Sequence, residues 1–344
     1  LGAQVFVPPG DDMAAMRWSA GDLLAAVDQC VDGVHVDAAR MSMAQIGRKA
    51  MKRSLSDIAA MAERPVASLA AATLPAAMSD ESACALADAM RESAQEFNAP
   101  LIGGDLARHR HDGPLVISVT VLAGPGPVGA LVRSGAQVGD GVYVTGELGA
   151  TLHADGGGHH LTFTPRINAA LWLARQLGER LHAMIDISDG LGRDAGHLAQ
   201  DSGVDLQLDA RSIPRRDACS IAHSVMDGED YELCFTAAGD VPRVTSDGVR
   251  ITRVGSVVAA GEPGAVGAWM VNLTEVDIRE LRALGESGRG GRGHRAGSDG
   301  VAKPHEARRD VRASAGYSQG NRSVPAEASA GGIRIDSFGW EHDS

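Results

Sequence analysis

Short runs of apolar and β-branched residues alternate along the chain with alanine-rich segments whose apolar residues recur at helical spacing. Runs of this kind that are bounded by turn residues predict strands. In the first part of the chain they cover 22–28, 65–74, 99–105 and 114–124. Helices are predicted at about 45–62 and 79–97. The second of them opens on Ser79, a preferred N-cap residue, with two acids in the first turn.

A second series of strands and helices follows in the middle of the chain. The strands are predicted at 140–146, 182–186, 204–209, 231–237 and 249–260, and the helices at 166–181 and near 192–202. Because strands and helices alternate in both series, the pattern predicts an α/β (α+β) fold. We expect two domains, at 1–128 and 136–284, joined by a segment rich in glycine and proline.

The composition changes at residues 285–332. This stretch has eight Lys or Arg against five acids, and its sizeable apolar side chains are three valines and one tyrosine. So few apolar groups do not offset the entropy lost on ordering, and we therefore predict a disordered linker. It is interpreted either as a tolerated surface insertion or as a basic tether for an anionic partner. Residues 333–344 then form a short C-terminal motif.

The overall composition excludes several classes of function. The 344 residues carry a net charge of −12 and only 3% are aromatic, so the basic face and stacking platforms of a nucleic-acid-binding protein are missing. No apolar run approaches the roughly 18 residues of a membrane span. The four cysteines are widely spaced and the first ten residues lack a basic signal-peptide region. A cytoplasmic location is therefore expected.

Aspartates recur directly after apolar runs, which is the most informative pattern in the chain. They are Asp11, Asp12, Asp28, Asp57, Asp105, Asp186 and Asp189, with a further acidic turn at 227–232. Carboxylates at strand ends point into the crevice where α/β folds bind ligands, and they repel one another unless cations intervene. Oxygen ligands of this type suit Mg²⁺. The pattern predicts a magnesium site, although Asp11, Asp32 and Asp227 are interpreted as turn-forming residues.

Phosphate binding also requires amide or cationic donors. Gly103 and Gly104 would let the backbone approach a phosphate closely, and Arg133 is a candidate clamp for the same group. A solvated surface position is the alternative interpretation of Arg133. His35 lies beside an acidic turn, and a structural role is the simpler interpretation of a single histidine.

Eight strings, in order along nearly the whole chain outside 285–332, resemble the thiamine-monophosphate kinase family. That family belongs to the superfamily of aminoimidazole-ribonucleotide synthetase and selenophosphate synthetase. The strings are GDDMA (10–14), DGVHV (32–36), GRKAMKRSLSDIAAMAERP (47–65), LIGGDLAR (101–108), LVRSGAQVGDGVYVTGELG (131–149), AMIDISDGLGRDAGHLAQDSGV (183–204), GEDYELCFT (228–236) and GWEH (339–342). The combination is specific, whereas each string alone is not.

The resemblance implies ATP-dependent phosphorylation of thiamine monophosphate to thiamine diphosphate by direct in-line transfer, with several Mg²⁺ ions. It also implies a synthetase-like homodimer whose paired N-terminal halves form the dimer sheet and the nucleotide cleft. The implied metal ligands are Asp12, Asp28, Asp57, Asp105, Asp186 and Asp189. The implied ATP contacts are Gly104, Asp105, Arg133 and Ser188. The implied thiamine-phosphate contacts are His35, Glu229 and Trp340. No general base is expected, because the attacking phosphate oxygen is already ionised.

Two other functions stay open at this point. One is a related ATP-dependent synthetase that acts on another phosphorylated small molecule. The other is a nucleotide- or metal-binding homologue without catalysis, which is suggested by the nine residues before the first motif. Ala26 and Val27 also favour it, because they stand where the family has Ser-Thr before a metal aspartate.

Overall fold

The computed structural model describes residues 5–7, 13–18, 21–261, 266–289 and 332–336. These residues form two β-sheets, one from the first third of the chain and one from the remainder, with six α-helices packed on them. The predicted α/β fold is confirmed.

The N-terminal sheet has six strands in the order β1-β2-β3-β6-β4-β5. Their bounds are β1 Val5–Val7, β2 Ala14–Trp18, β3 Gly21–Val31, β4 Arg64–Leu74, β5 Leu101–Arg108 and β6 Val116–Gly124. The pairings are antiparallel except for β4 with β5, which are parallel. In β6 buried and half-buried residues alternate, which indicates a sheet with one covered face and one more open face. Helices α1 Met43–Ala60 and α2 Asp80–Glu96 connect these strands.

The C-terminal sheet has seven strands in the order β13-β12-β9-β11-β7-β10-β8. Its strands are β7 Gly141–Thr145, β8 Leu181–Ile187, β9 Asp205–Asp209, β10 Glu232–Ala237, β11 Ile251–Val258, β12 Ala268–Val271 and β13 Ile333–Arg334. Its helices are α3 Ile167–Leu177, α4 Leu191–Ser202, α5 Ile221–Met226 and α6 Glu275–Arg289. Strand β10 pairs with a neighbour on each side and is buried along its whole length.

Helix α1 lies where the two halves meet. It begins with a capping box in which the Ser42 hydroxyl accepts from the Gln45 backbone and the Gln45 side chain accepts from the Ser42 backbone. Its apolar residues, among them Ile46 and Met51, belong to one core that includes the N-terminal sheet, helix α3 and strand β8. The helix is therefore held on two sides, and its polar positions are fixed relative to both sheets.

Several elements differ from the sequence-based expectation. Strands β1, β2 and β12 and helices α5 and α6 were not predicted. Strands of three to five residues and a helix of six residues are too short for a periodic signal, and α6 has few apolar residues. Helix α6 continues to Arg289, so 285–289 of the predicted linker are helical. An N-terminal capping contact between Thr274 and Asp277 stabilises this helix. Residues 290–331 lie outside the described residues, and the division into domains stays a prediction.

Helix length and polarity bear on membrane insertion. The longest helix, α1, has 18 residues and carries Arg48, Lys49, Lys52 and Arg53. Within the described ranges, no helix is both long enough and apolar enough to cross a bilayer.

Glu63, just after helix α1, is a buried carboxyl group in the N-terminal half. It is 1% exposed, and its Oε2 has no hydrogen-bond partner among the described residues. Burial raises the pKa of Glu63 from the usual 4.5 to about 7. Because this pKa is higher in the folded than in the unfolded chain, stability is lost as the pH rises from the unfolded value through the folded one.

We therefore expect Glu63→Gln, which mimics the neutral carboxyl group, to flatten the dependence of Tm on pH. Between about pH 5 and pH 8 the Tm of the wild type should fall a few degrees further than that of the variant. Thermal melts at a series of pH values test this expectation, with Glu81→Gln on the exposed start of helix α2 as the control. Parallel curves for the wild type and E63Q would contradict it.

Candidate active site

A cavity of about 190 Å³ lies at the junction of the two halves. Its walls are built by strand β3, helix α1, the loop after β8 and the loop before β10. The lining residues are Asp28, Arg53, Asp57, Asp186, Ser188, Asp189, Glu229 and Tyr231. Five carboxylates from distant parts of the sequence thus face one small space.

Helix α1 supplies a polar stripe to this cavity. Lys49, Arg53 and Asp57 are each four residues apart, so they lie on one face of the helix. The neighbouring Ser56 hydroxyl is buried and donates to Asp186 Oδ2 at 2.6 Å. This bond connects helix α1 to strand β8 of the C-terminal half and fixes the orientation of Asp186.

Two loops of the C-terminal half are joined by backbone hydrogen bonds beside the cavity. The Glu229 amide donates to the Ser188 carbonyl at 2.7 Å, and the Tyr231 amide donates to the Ile187 carbonyl at 2.8 Å. Glu229 and Tyr231 have φ angles of 66° and 50°, which are strained for residues with a side chain. Tyr231 is buried and stacks on Phe163 with the ring centroids 4.0 Å apart. The packed ring and the backbone bonds hold this strained loop in place.

A buried ion pair supports the same loop from helix α1. The Lys49 ammonium donates to Glu229 Oε2 at 2.8 Å and to the His35 carbonyl at 2.6 Å, and it lies 2.9 Å from His160 Nδ1. These three partners match the three donors of an ammonium group. Burial raises the pKa of Glu229, but the adjacent His160 and Lys49 side chains outweigh it and lower that pKa to about 2. Glu229 is therefore ionised.

Asp194 adds a further carboxyl group behind the cavity wall. Its Oδ2 accepts from the Asp189 backbone amide at 3.0 Å. Burial raises the pKa of Asp194, and the charges of Asp189 and Asp186 raise it further. The Arg133 guanidinium opposes this shift, which places Arg133 close to the acidic loop. Burial and the neighbouring carboxylates thus favour the neutral form of Asp194.

The donors of the cavity fit a hard divalent cation. Its walls present carboxylate oxygens and the Ser188 hydroxyl, and oxygen is the ligand type that Mg²⁺ prefers. No three His, Cys, Asp or Glu side chains of the described part of the chain already converge on one point.

The sequence-predicted residues divide into three groups. Six of them line the cavity: Asp28, Asp57, Asp186, Ser188, Asp189 and Glu229. Four others are described but do not line it: His35, Gly104, Asp105 and Arg133. Asp12 and Trp340 lie outside the described residues.

Three of the four residues outside the cavity have identifiable surroundings. Gly104 and Asp105 lie exposed on β5, the edge strand of the N-terminal sheet. A Cβ at Gly104 would come within 2.0 Å of the Ala70 carbonyl oxygen, so the close approach of β4 and β5 requires glycine there. The Nδ1 atom of His35 accepts from the Val31 amide at 3.1 Å, which stabilises the turn after β3.

Sequence reasoning missed Arg53, Tyr231 and Lys49. The signal for the two cations was present, because Arg53 and Lys49 lie four and eight residues before Asp57, which places them on the same helical face. Tyr231 could not be found in this way, because its position depends on a strained loop and on stacking against a ring 68 positions earlier in the sequence.

Comparison with known proteins identifies relatives over most of the chain. Residues 10–124 match the family model of the AIR synthase related protein, N-terminal domain. The thiamine-monophosphate kinase of Rhodopirellula baltica is 35% identical over 287 residues, covering 77% of this chain and 86% of the relative.

Solved structures give the same result. The structure of AaThiL complexed with AMPPCP and TMP has a TM-score of 0.65 at 24% identity and covers 76% of this chain and 87% of that one. Thiamine-monophosphate kinase from Stenotrophomonas maltophilia K279a has a TM-score of 0.63 at 30% identity. The match covers 78% of this chain and 91% of that one. On the strength of these likenesses, and of motifs that build one acidic cavity, this chain belongs to the thiamine-monophosphate kinase family.

Proposed function

We propose that this protein is a thiamine-phosphate kinase that transfers the γ-phosphoryl group of ATP to thiamine monophosphate and releases thiamine diphosphate and ADP. The observation that carries the proposal is the cavity at the junction of the two halves. Its lining includes Asp28 and Asp57 from the N-terminal half, and Asp186 and Asp189 from the C-terminal half. The family to which the chain belongs supplies the reaction.

The acidic residues are assigned to metal binding. Asp28, Asp57, Asp186 and Asp189 of the cavity, together with Asp105 and with Asp12 outside the described residues, would hold Mg²⁺. When bound, Mg²⁺ neutralises the charge of the phosphates and lets two anionic substrates approach each other. The carboxylates suit this role because they are held by different elements, and Asp186 is fixed in orientation by Ser56.

The remaining residues are assigned to substrate positioning. Gly104, Asp105, Arg133 and Ser188 would contact ATP, and His35, Glu229 and Trp340 would lie on the thiamine-phosphate side. The phosphate oxygen of the acceptor is ionised near neutral pH and attacks the γ-phosphorus directly. A new P–O bond forms there while the bond to the β–γ bridging oxygen breaks. No side chain has to remove a proton, so the protein contributes alignment and charge.

A homodimer would complete this arrangement. Strands β3, β4 and β5 of the N-terminal sheet expose large apolar side chains, including Val27, Leu69, Ile102 and Leu106. Exposed apolar side chains on neighbouring strands favour burial against a partner subunit. Gly104 and Asp105 lie on the same edge strand, so pairing of two N-terminal sheets would bring them toward the nucleotide cleft. Sedimentation of the full chain measures whether the protein is a dimer.

A cytoplasmic location is part of the same proposal. Cys30, Cys84, Cys219 and Cys234 are all free thiols in the structure. Unpaired cysteines are typical of a reducing compartment.

The test of the function is incubation of the full-length protein with ATP, Mg²⁺ and thiamine monophosphate. We expect equal amounts of ADP and thiamine diphosphate, separated by chromatography. Other phosphorylated small molecules serve as alternative acceptors in the same assay. ADP release with one of them but not with thiamine monophosphate would identify a related synthetase. Binding of ATP without turnover of any acceptor would show a homologue that no longer catalyses.

A further inference from the structure

Arg53 is a cation in the cavity wall that neither the motif assignment nor the proposed mechanism uses. Its side chain is 11% exposed. Its Nε and Nη1 atoms are inaccessible to solvent and, among the described residues, have no hydrogen-bond partner. Two buried donors of a charged group without acceptors are costly, since each such group is normally paired.

A simple counter-ion role does not account for this geometry. Asp28 Oδ2 lies 3.9 Å from Nε, which is longer than a hydrogen bond. An arginine that serves as a counter-ion forms paired N–H···O bonds of about 2.7–2.9 Å with a carboxylate. Arg53 therefore lines the cavity with a guanidinium group of which two N–H donors are accepted by no described residue.

The position of Arg53 indicates which substrate it meets. Burial opposes the charge of Arg53, yet the neighbouring Tyr231, Asp28 and Glu229 raise its pKa, so the group stays protonated. Tyr231 and Glu229 belong to the loop before β10, the side of the cavity assigned to the thiamine phosphate. Arg53 thus lies between a metal-binding aspartate and the acceptor loop.

We propose that Arg53 binds the phosphate of the acceptor through its guanidinium group and aligns that phosphate for attack on ATP. This inference rests on the proposed function and adds a recognition residue for the phosphate monoester class of acceptor. The planar fork of arginine matches two oxygens of a phosphate. The third oxygen stays available to form the bond to the γ-phosphorus.

Paired titrations of full-length protein with thiamine monophosphate and with thiamine, each in the presence of Mg²⁺, test the role of Arg53. Thiamine lacks the phosphate, so the ratio of the two dissociation constants isolates the contribution of that group. In Arg53→Met we expect the preference for thiamine monophosphate to fall at least about tenfold while the affinity for thiamine stays within about threefold. Arg53→Lys keeps the positive charge but lacks the planar guanidinium group. Its preference for thiamine monophosphate should lie between those of the wild type and Arg53→Met.

Lys52→Met is the matched control for these variants. It removes one positive charge from the same turn of helix α1, but Lys52 does not line the cavity and its Nζ lies 3.6 Å from Glu96. Its preference for thiamine monophosphate should remain within about twofold of the wild type. Melting curves establish that each variant is folded. If R53M does not fold, R53K provides the comparison.

Three results would overturn the assignment of Arg53. The first is an unchanged preference in folded R53M or R53K. The second is an equal loss of affinity for thiamine and thiamine monophosphate. The third is a rise confined to the KM for ATP, which would place Arg53 on the donor. Wild-type protein that binds thiamine monophosphate without phosphorylating it would contradict the proposed function alone, whereas absence of binding would contradict both.

Discussion

Asp57→Asn is expected to lower the turnover of thiamine monophosphate by at least about a hundredfold while the protein remains folded. Asp57 lies on helix α1, next to the serine that holds Asp186. The amide keeps the size of the side chain but removes one negative charge from the cavity. If Asp57 binds Mg²⁺, the variant should also require a higher Mg²⁺ concentration for half-maximal rate. Steady-state rates over a range of Mg²⁺ concentrations measure both effects.

Asp189→Asn should behave in the same way from the opposite wall of the cavity, because Asp189 belongs to the C-terminal half. Asp88→Asn is the matched control: Asp88 is exposed on helix α2 and pairs with Arg91. That variant should keep its rate within about twofold, since surface pairs contribute little. Near-normal turnover in both D57N and D189N would show that the metal assignment is wrong. Loss of the cooperative melting transition would instead indicate a structural role.

The acidic cavity could be predicted from the sequence because its members follow local rules. Asp28 and Asp186 lie on apolar strands, and Asp189 follows the second of them, so each position is defined within a few residues. Helix α1 was predicted for the same reason, since its apolar residues recur at helical spacing. Patterns of this kind need no knowledge of distant parts of the chain.

The supporting residues could not be predicted because their environment is made by distant segments. Lys49 has a residue type that is normally exposed, and it is buried only because His160 and Glu229 meet it from 111 and 180 positions away. Asp105 shows the opposite case. It follows the strand-end pattern, yet it lies on an edge strand away from the cavity of this chain. Local pattern therefore identifies chemically suitable residues, whereas tertiary contacts decide which of them share a site.

Lys49→Met is expected to destabilise the protein by about 3–5 kcal/mol, because it leaves the ionised Glu229 buried without its cation. The side chains of Lys49 and Glu229 are 0% and 6% exposed, so solvent cannot replace the lost partner. The same change should raise the pKa of Glu229, which Lys49 helps to hold at about 2 in the wild type. Denaturant unfolding followed by circular dichroism measures the stability. Lys52→Met, which removes the next lysine on the same helix, should cost about 1 kcal/mol or less.

The double variant K49M/E229Q separates the charge effect from the loss of packing. Because it removes both members of the pair, it should be more stable than the sum of the two single losses predicts, with a coupling of about 1–3 kcal/mol. Such coupling would show that the ion pair, and through it the strained turn at Glu229, depends on helix α1 of the N-terminal half. The contact between the halves would then hold the acceptor loop in position beside Arg53. A loss of less than about 1 kcal/mol in K49M would contradict this view, since an uncompensated buried carboxylate could not be tolerated so easily.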